Sequence, residues 1–206
     1  MAIAKSSGGD FTPVPQGTHQ ARCFAQISLG TQHSENYPDS FKVMLMWELP
    51  EQTLERDGET VPMVISKEYT CSLNEKANLR RDLVSWRGRE FTEPELAGFD
   101  VAQVVGAPCL LNVINTTNTK GKTYAKIASV SPLPKKMQAE KQVHQSVKYE
   151  IEMGKGDVFQ KLPEWVQKKI CACVEWNTAP QPAKSAAPVS HQPEVPGEPE
   201  MDDVPF

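Results

Sequence analysis

The chain has 206 residues, 39% of them hydrophobic, and a net charge of −4. That length suits one ordinary domain or a domain with a tail, and the modest apolar share predicts that part of the chain is not core. No apolar run approaches the ~20 residues of a membrane span, and the opening MAIAKSSGGD holds no signal-peptide core, so the expectation is a soluble, cytoplasmic protein.

The first strand candidate is Gly17–Gly30, GTHQARCFAQISLG, with Ala21, Cys23, Ala25 and Ile27 on alternate positions. Ser40–Pro50 alternates more cleanly: Phe41, Val43, Leu45, Trp47 and Leu49 share one face, and Lys42, Met44, Met46 and Glu48 the other. An acidic stretch, EQTLERDGET, reads as a turn before a third strand at Val61–Leu73. The period then changes. Leu79, Leu83 and Trp86 fall at helical spacing, with Asn74 as N-cap and Gly88 as stop. Thr92 and Glu95 form a capping-box pattern with a proline in the first turn, and DVAQVVGAP adds one short helical turn at most. Cys109–Thr117 and Lys122–Leu133 read as a hairpin around NTKG.

The order β-β-β-α-β-β matches a mainly β fold, the five-stranded OB-fold barrel, which carries a helix between its third and fourth strands. An SH3-like barrel or a small β-sandwich fits the same pattern. This body covers residues 1–134. Residues 135–176 read as an appendage in which LPEWVQKKICACVEW forms a short helix, with Trp165, Ile170 and Val174 near one face. From residue 177 to 206 seven residues are proline, and Ala, Ser and Gln fill much of the rest. Such a stretch buries too little apolar surface to offset its ordering entropy, so a disordered linker and acidic tip are expected. One base, Lys184, and five acids there account for the whole net charge of −4, leaving the body neutral.

No phosphate-binding, dinucleotide, zincin or nucleophile-elbow motif is present. His19, His33, His144 and His191 lack a recurring acid or Cys partner. No catalytic residue, metal or cofactor is expected. The five cysteines, Cys23, Cys71, Cys109, Cys171 and Cys173, are scattered without a CxxC and read as free thiols.

The basic residues say more. Between Asn115 and Lys141 stand six lysines, Lys120, Lys122, Lys126, Lys135, Lys136 and Lys141, against one acid, Glu140. In an OB-fold the loops between strands 1 and 2 and between strands 4 and 5, with the face of strands 2 and 3, line the nucleic-acid groove. Those places carry Tyr37, Lys42, Trp47, Lys67, Tyr69, Lys120, Lys122, Tyr124 and Lys126. Lysines there neutralise phosphates, and aromatic faces stack unpaired bases with little regard to sequence. Trp47 and Trp86 also read as core, and Arg80, Arg81, Arg87 and Arg89 as either a second patch or the wet side of the helix.

The last residues, MDDVPF, resemble the acidic tip of bacterial single-stranded DNA-binding proteins: consecutive aspartates, a small apolar residue, proline and a terminal phenylalanine. The segments LRRDLVSWRGREFTEPELAGFD and GAPCLLNVINTTNTKGKTYAKIASVSPLP resemble phage and prophage single-stranded DNA-binding proteins over roughly residues 11–134. The resemblance implies an OB-fold that binds single-stranded DNA in the bacterial host cell during phage replication and recombination. It also implies docking of host or phage replication, recombination and repair proteins through Asp202, Asp203, Val204, Pro205 and Phe206. A homo-oligomer is compatible with it. Two alternatives stay open: a protein-interaction OB module without DNA binding, such as a recombinase accessory, and a small metal-dependent nuclease.

Overall fold

A computed structural model describes residues 12–56, 58–119 and 121–177. Five strands form its centre: β1 (Gly17–Gln32), β2 (Ser40–Arg56), β3 (Glu59–Thr70), β4 (Pro108–Thr117) and β5 (Thr123–Ser131). They pair antiparallel in the order β3-β2-β1-β4-β5. β3 and β5 stand at opposite ends of that order yet touch, so the sheet curls into a half-barrel. The helix α1 (Asn78–Arg87) packs against both of them.

The inside of the curl follows from alternation. Val43, Leu45, Trp47 and Leu49 of β2 meet Ile65 and Tyr69 of β3, Leu111 and Val113 of β4, and Leu79, Leu83 and Trp86 of α1. Phe41 stays more than a third exposed and leaves that set. The helix begins at Asn78 with Ala77 in the cap position, three residues past the expected cap Asn74. It stops at Gly88, whose φ of 66° is the left-handed conformation that favours glycine. The capping box of Thr92 and Glu95 opens α2 (Glu93–Ala97), and the expected short turn is a 3-10 helix at Val101–Val104.

Two expectations about the strands need correction. The acidic stretch is not simply a turn: β2 runs on to Arg56 and β3 begins at Glu59, so most of it forms the arm of a long hairpin. Nor do Ala21, Cys23, Ala25 and Ile27 share a face. A bulge between Cys23 and Ala25 inserts one residue and flips the parity of β1. Ala21 and Cys23 line the inner core, whereas Ala25, Ile27 and Leu29 turn outward.

Those outward residues are covered. A second layer consists of β6 (Val147–Tyr149), α3 (Asp157–Lys161), α4 (Glu164–Cys171) and α5 (Val174–Asn177). β6 pairs parallel with β1 at Ala25–Ile27. Tyr149, Ile151, Phe159, Leu162, Val166, Ile170 and Cys173 form a second core with Phe24, Ala25, Ile27, Leu29, Met44 and Met46. The middle of β1 and β2 is thus largely apolar on both faces because both faces are buried there, with Gln26, Ser28 and Glu48 as buried polar exceptions. The close approach has a local signature: at Gly30, φ 74°, a Cβ would lie 2.7 Å from that of Cys173. In α4 the buried residues are Val166 and Ile170, while Trp165, expected beside Ile170, is 46% exposed. Val174 is not buried either.

Residue 177 ends α5, and residues 178–206, which include the tip Asp202, Asp203, Val204, Pro205 and Phe206, lie outside the described residues. No helix among the described residues is long and apolar enough to cross a membrane.

Candidate nucleic-acid interface

Nine body residues carry the binding expectation, and the fold separates them into three groups. Trp47, Lys67 and Tyr69 leave the candidate surface. Odd-numbered positions from Val43 to Leu49 of β2 and from Met63 to Tyr69 of β3 face the inner core, so Trp47 is fully buried with its ring centre 5.9 Å from that of Trp86. Tyr69 is buried and its hydroxyl donates to Asp82 Oδ2 of α1 at 2.8 Å. Lys67 donates to the same oxygen at 2.9 Å and lies 5.2 Å over the Tyr69 ring. The lysine and tyrosine therefore fasten α1 to β3. Neither ring offers an open face.

Tyr37 and Lys42 remain partly exposed. Tyr37 is half-buried in the loop joining β1 to β2, which His33 and Asp39 close with a 2.9 Å contact. Lys42 is half-buried, and its Nζ donates to Thr70 Oγ1 across the β2–β3 ladder at 2.8 Å.

The third group sits on the β4–β5 hairpin. Lys120 lies outside the described residues. Lys122 is exposed and its backbone N–H donates to Asn118 Oδ1, which closes the turn at 2.9 Å. Tyr124 pairs with Thr116 and Lys126 with Ile114. Paired residues share a face. Because Val113, Ala125 and Ile127 pack into the core, Ile114, Thr116, Tyr124 and Lys126 point outward together. Sequence reading passed over Ile114. Its signal was an apolar residue at the polar parity of a strand.

The arginines resolve into internal ties. Arg87 and Arg89 both donate to Glu95, and Arg87 lies over the rings of Phe91 and Phe99 at 4.4 and 5.1 Å. The bond from Arg89, then the Thr92 backbone N–H and Arg87, hold the Glu95 carboxyl well below the usual carboxylate range. Arg80 donates to Leu73 O and pairs with Glu90, and Arg81 pairs with Asp82. Arg80 and Arg87 are largely buried, whereas Arg81 and Arg89 stay more than half exposed beside their acids.

All five cysteines are free. Burial pushes the Cys23 thiol up to about 12 and raises Cys109 as well, so both stay protonated at neutral pH. Among the described residues no three His, Cys, Asp or Glu side chains gather as metal ligands do. No protein-family model matches the chain, and neither curated proteins nor solved structures gave a match.

Proposed function

We propose that the chain is a non-catalytic, sequence-tolerant binder of single-stranded DNA built on an OB-fold. The observation that carries this reading is the strand order β3-β2-β1-β4-β5, with α1 inserted between β3 and β4 and packed on both β3 and β5. A five-stranded Greek-key barrel with a helix in that position is the OB plan, and its common ligands are oligonucleotides. Charge supports the same ligand. From Val101 to Ala139 the sequence holds five lysines and no Asp or Glu. That stretch contains the whole β4–β5 hairpin with Lys122, Tyr124 and Lys126. The acidic tip, Asp202 to Phe206, then serves to recruit replication, recombination and repair proteins. Its phenylalanine is an apolar anchor and its aspartates meet a basic rim.

Fluorescence anisotropy with one oligonucleotide, single-stranded and as a duplex, tests the reading. Single strands should bind more tightly, bases should matter little, and affinity should fall with salt. Equal affinity for the duplex overturns it.

A second reading has one observation in its favour. With Trp47 and Tyr69 buried and the outer face of β1 and β2 covered, the groove is poorer in open rings than a base-stacking surface needs. A protein-interaction OB module fits that state. Absence of single-strand binding at low salt selects it.

A further inference from the structure

Resting on the single-strand reading above, we propose that the DNA strand runs over the outward face of the β4–β5 hairpin, and that Ile114 and Asn112 are contact residues on that path together with Tyr124 and Lys126.

The argument starts from the faces available. The inner faces of all five strands close the first core. The outer face of β1 and β2 lies beneath the second layer. The outer face of β3 is partly taken as well, since Lys169 of α4 reaches across to Glu68. The usual surface of strands 2 and 3 is thus occupied by the chain itself. The covering extends a short way onto β4. Gln20 of β1, which pairs with Leu110, accepts the backbone N–H of Glu140 at 2.6 Å. Arg22, which pairs with Pro108, donates to the Glu140 carbonyl at 2.8 Å. Leu110 is accordingly half-buried.

Two residues further on the cover ends. Asn112, Ile114 and Thr116 are exposed along β4, and Ile114 keeps 44% of its surface in water. Across from them stand Ser129, Lys126 and Tyr124. The face therefore offers an exposed aliphatic side chain diagonal to a half-buried tyrosine ring, amide and hydroxyl groups at the next pairs, and a half-buried lysine. No carboxylate comes from either strand. A base stacks on the ring and on aliphatic surface, and the amide and hydroxyls hydrogen-bond to whichever base edge or sugar arrives. Two strands that contribute lysine and no acid lower the cost of bringing up phosphates. Burying Ile114 under a base also accounts for an exposed isoleucine on a strand whose other outward neighbours are polar.

The test measures single-strand affinity by anisotropy at about 0.1 M salt for wild type, Ile114→Ala, Asn112→Ala, Lys126→Glu and, as a matched charge reversal on the covering layer, Lys168→Glu. Lys126→Glu should weaken binding about tenfold or more and reduce the salt slope. Ile114→Ala should weaken it about three- to tenfold with the slope unchanged, Asn112→Ala more modestly, and Lys168→Glu should bind nearly as wild type. Photo-crosslinking of the wild-type chain to an iodouracil-substituted single strand gives a readout that needs no variant, and the crosslinked peptide should come from β4 or β5. Binding that survives both Ile114→Ala and Lys126→Glu, or crosslinks in β2, β3 or α4, overturns the path while leaving single-strand binding intact. A wild-type chain that binds no single strand overturns the functional reading, and the path with it.

Discussion

The carboxylate of Glu48 and the ring of His144 join the two layers of this protein. Glu48 is fully buried on the outward side of β2, 96 residues before its partner. It accepts the backbone N–H groups of Val143 and His144 at 2.8 and 2.7 Å and His144 Nδ1–H at 2.7 Å. The imidazole also stacks on Phe24 with ring centres 4.8 Å apart. A buried acid needs such donors, and here they come from the segment that leads into the second layer. Glu48→Ala should cost about 2–3 kcal/mol by urea unfolding, because two backbone donors lose their acceptor. Amide exchange at Val143 and His144 should accelerate more than exchange in β4. Unchanged exchange at those two amides refutes the clasp.

Asp82 stands between Lys67 and Tyr69 with its side chain 8% exposed, against 12% for the lysine. Removing the acid leaves a cation in a poorly hydrated site. Asp82→Ala should therefore destabilise by about 3 kcal/mol or more, whereas the double change Lys67→Met, Asp82→Leu should recover most of that loss. Equal stability of the single and double variants would show that the pair is not coupled.

The second layer should depend on Ile170 and hardly on Trp165. Ile170 is fully buried and Trp165 is 46% exposed on the same helix. Ile170→Ala should cost about 2–5 kcal/mol through the lost contacts and the cavity left behind. Trp165→Ala should cost about 1 kcal/mol or less. Thermal unfolding of the two variants decides this, and a reversed ranking rejects the described face of α4.

Glu95 supplies a pH dependence with a definite sign. Its folded-state carboxyl sits below the ordinary range because Arg89, the Thr92 backbone and Arg87 bind the charged form. Such a group stabilises the fold above its unfolded-state value, and the contribution fades as pH falls toward the lower folded-state value. Glu95→Gln should therefore reduce stability at neutral pH, with a deficit that shrinks steadily below about pH 4. Unfolding curves of both chains across that range give the comparison. A deficit that grows on acidification is the opposite of what the contacts require.

The tip should act on partners and not on the body. Phe206→Ala should leave the unfolding transition of the body unchanged and should not weaken single-strand binding, since it removes no cation. Recovery of host replication proteins in a pull-down should fall sharply. Equal recovery by both chains removes the recruiting role.

The period-2 and helical patterns were enough to place five strands and the first helix in order, and Gly88 and the Thr92–Glu95 pair were enough to end and begin helices. Local rules govern these features: side-chain alternation, the left-handed conformation, and the reach of a capping carboxylate across three residues. The hairpin at 108–131 was legible for the same reason.

Tertiary structure alone decided which faces were open. A single bulge after Cys23 changed the parity of β1, and no local composition marks where a ladder will slip by one residue. Met44 and Met46 show as a second apolar stripe in the sequence, but the element that covers them lies about a hundred positions away and is mixed in pattern. Trp47, Lys67 and Tyr69 have residue types that suit a binding groove as well as a core. Their side of the sheet is set by where α1 docks. Burial is a property of contacts between segments distant in the chain, so the sequence determined the elements and their order, and packing determined which residues of those elements can meet a ligand.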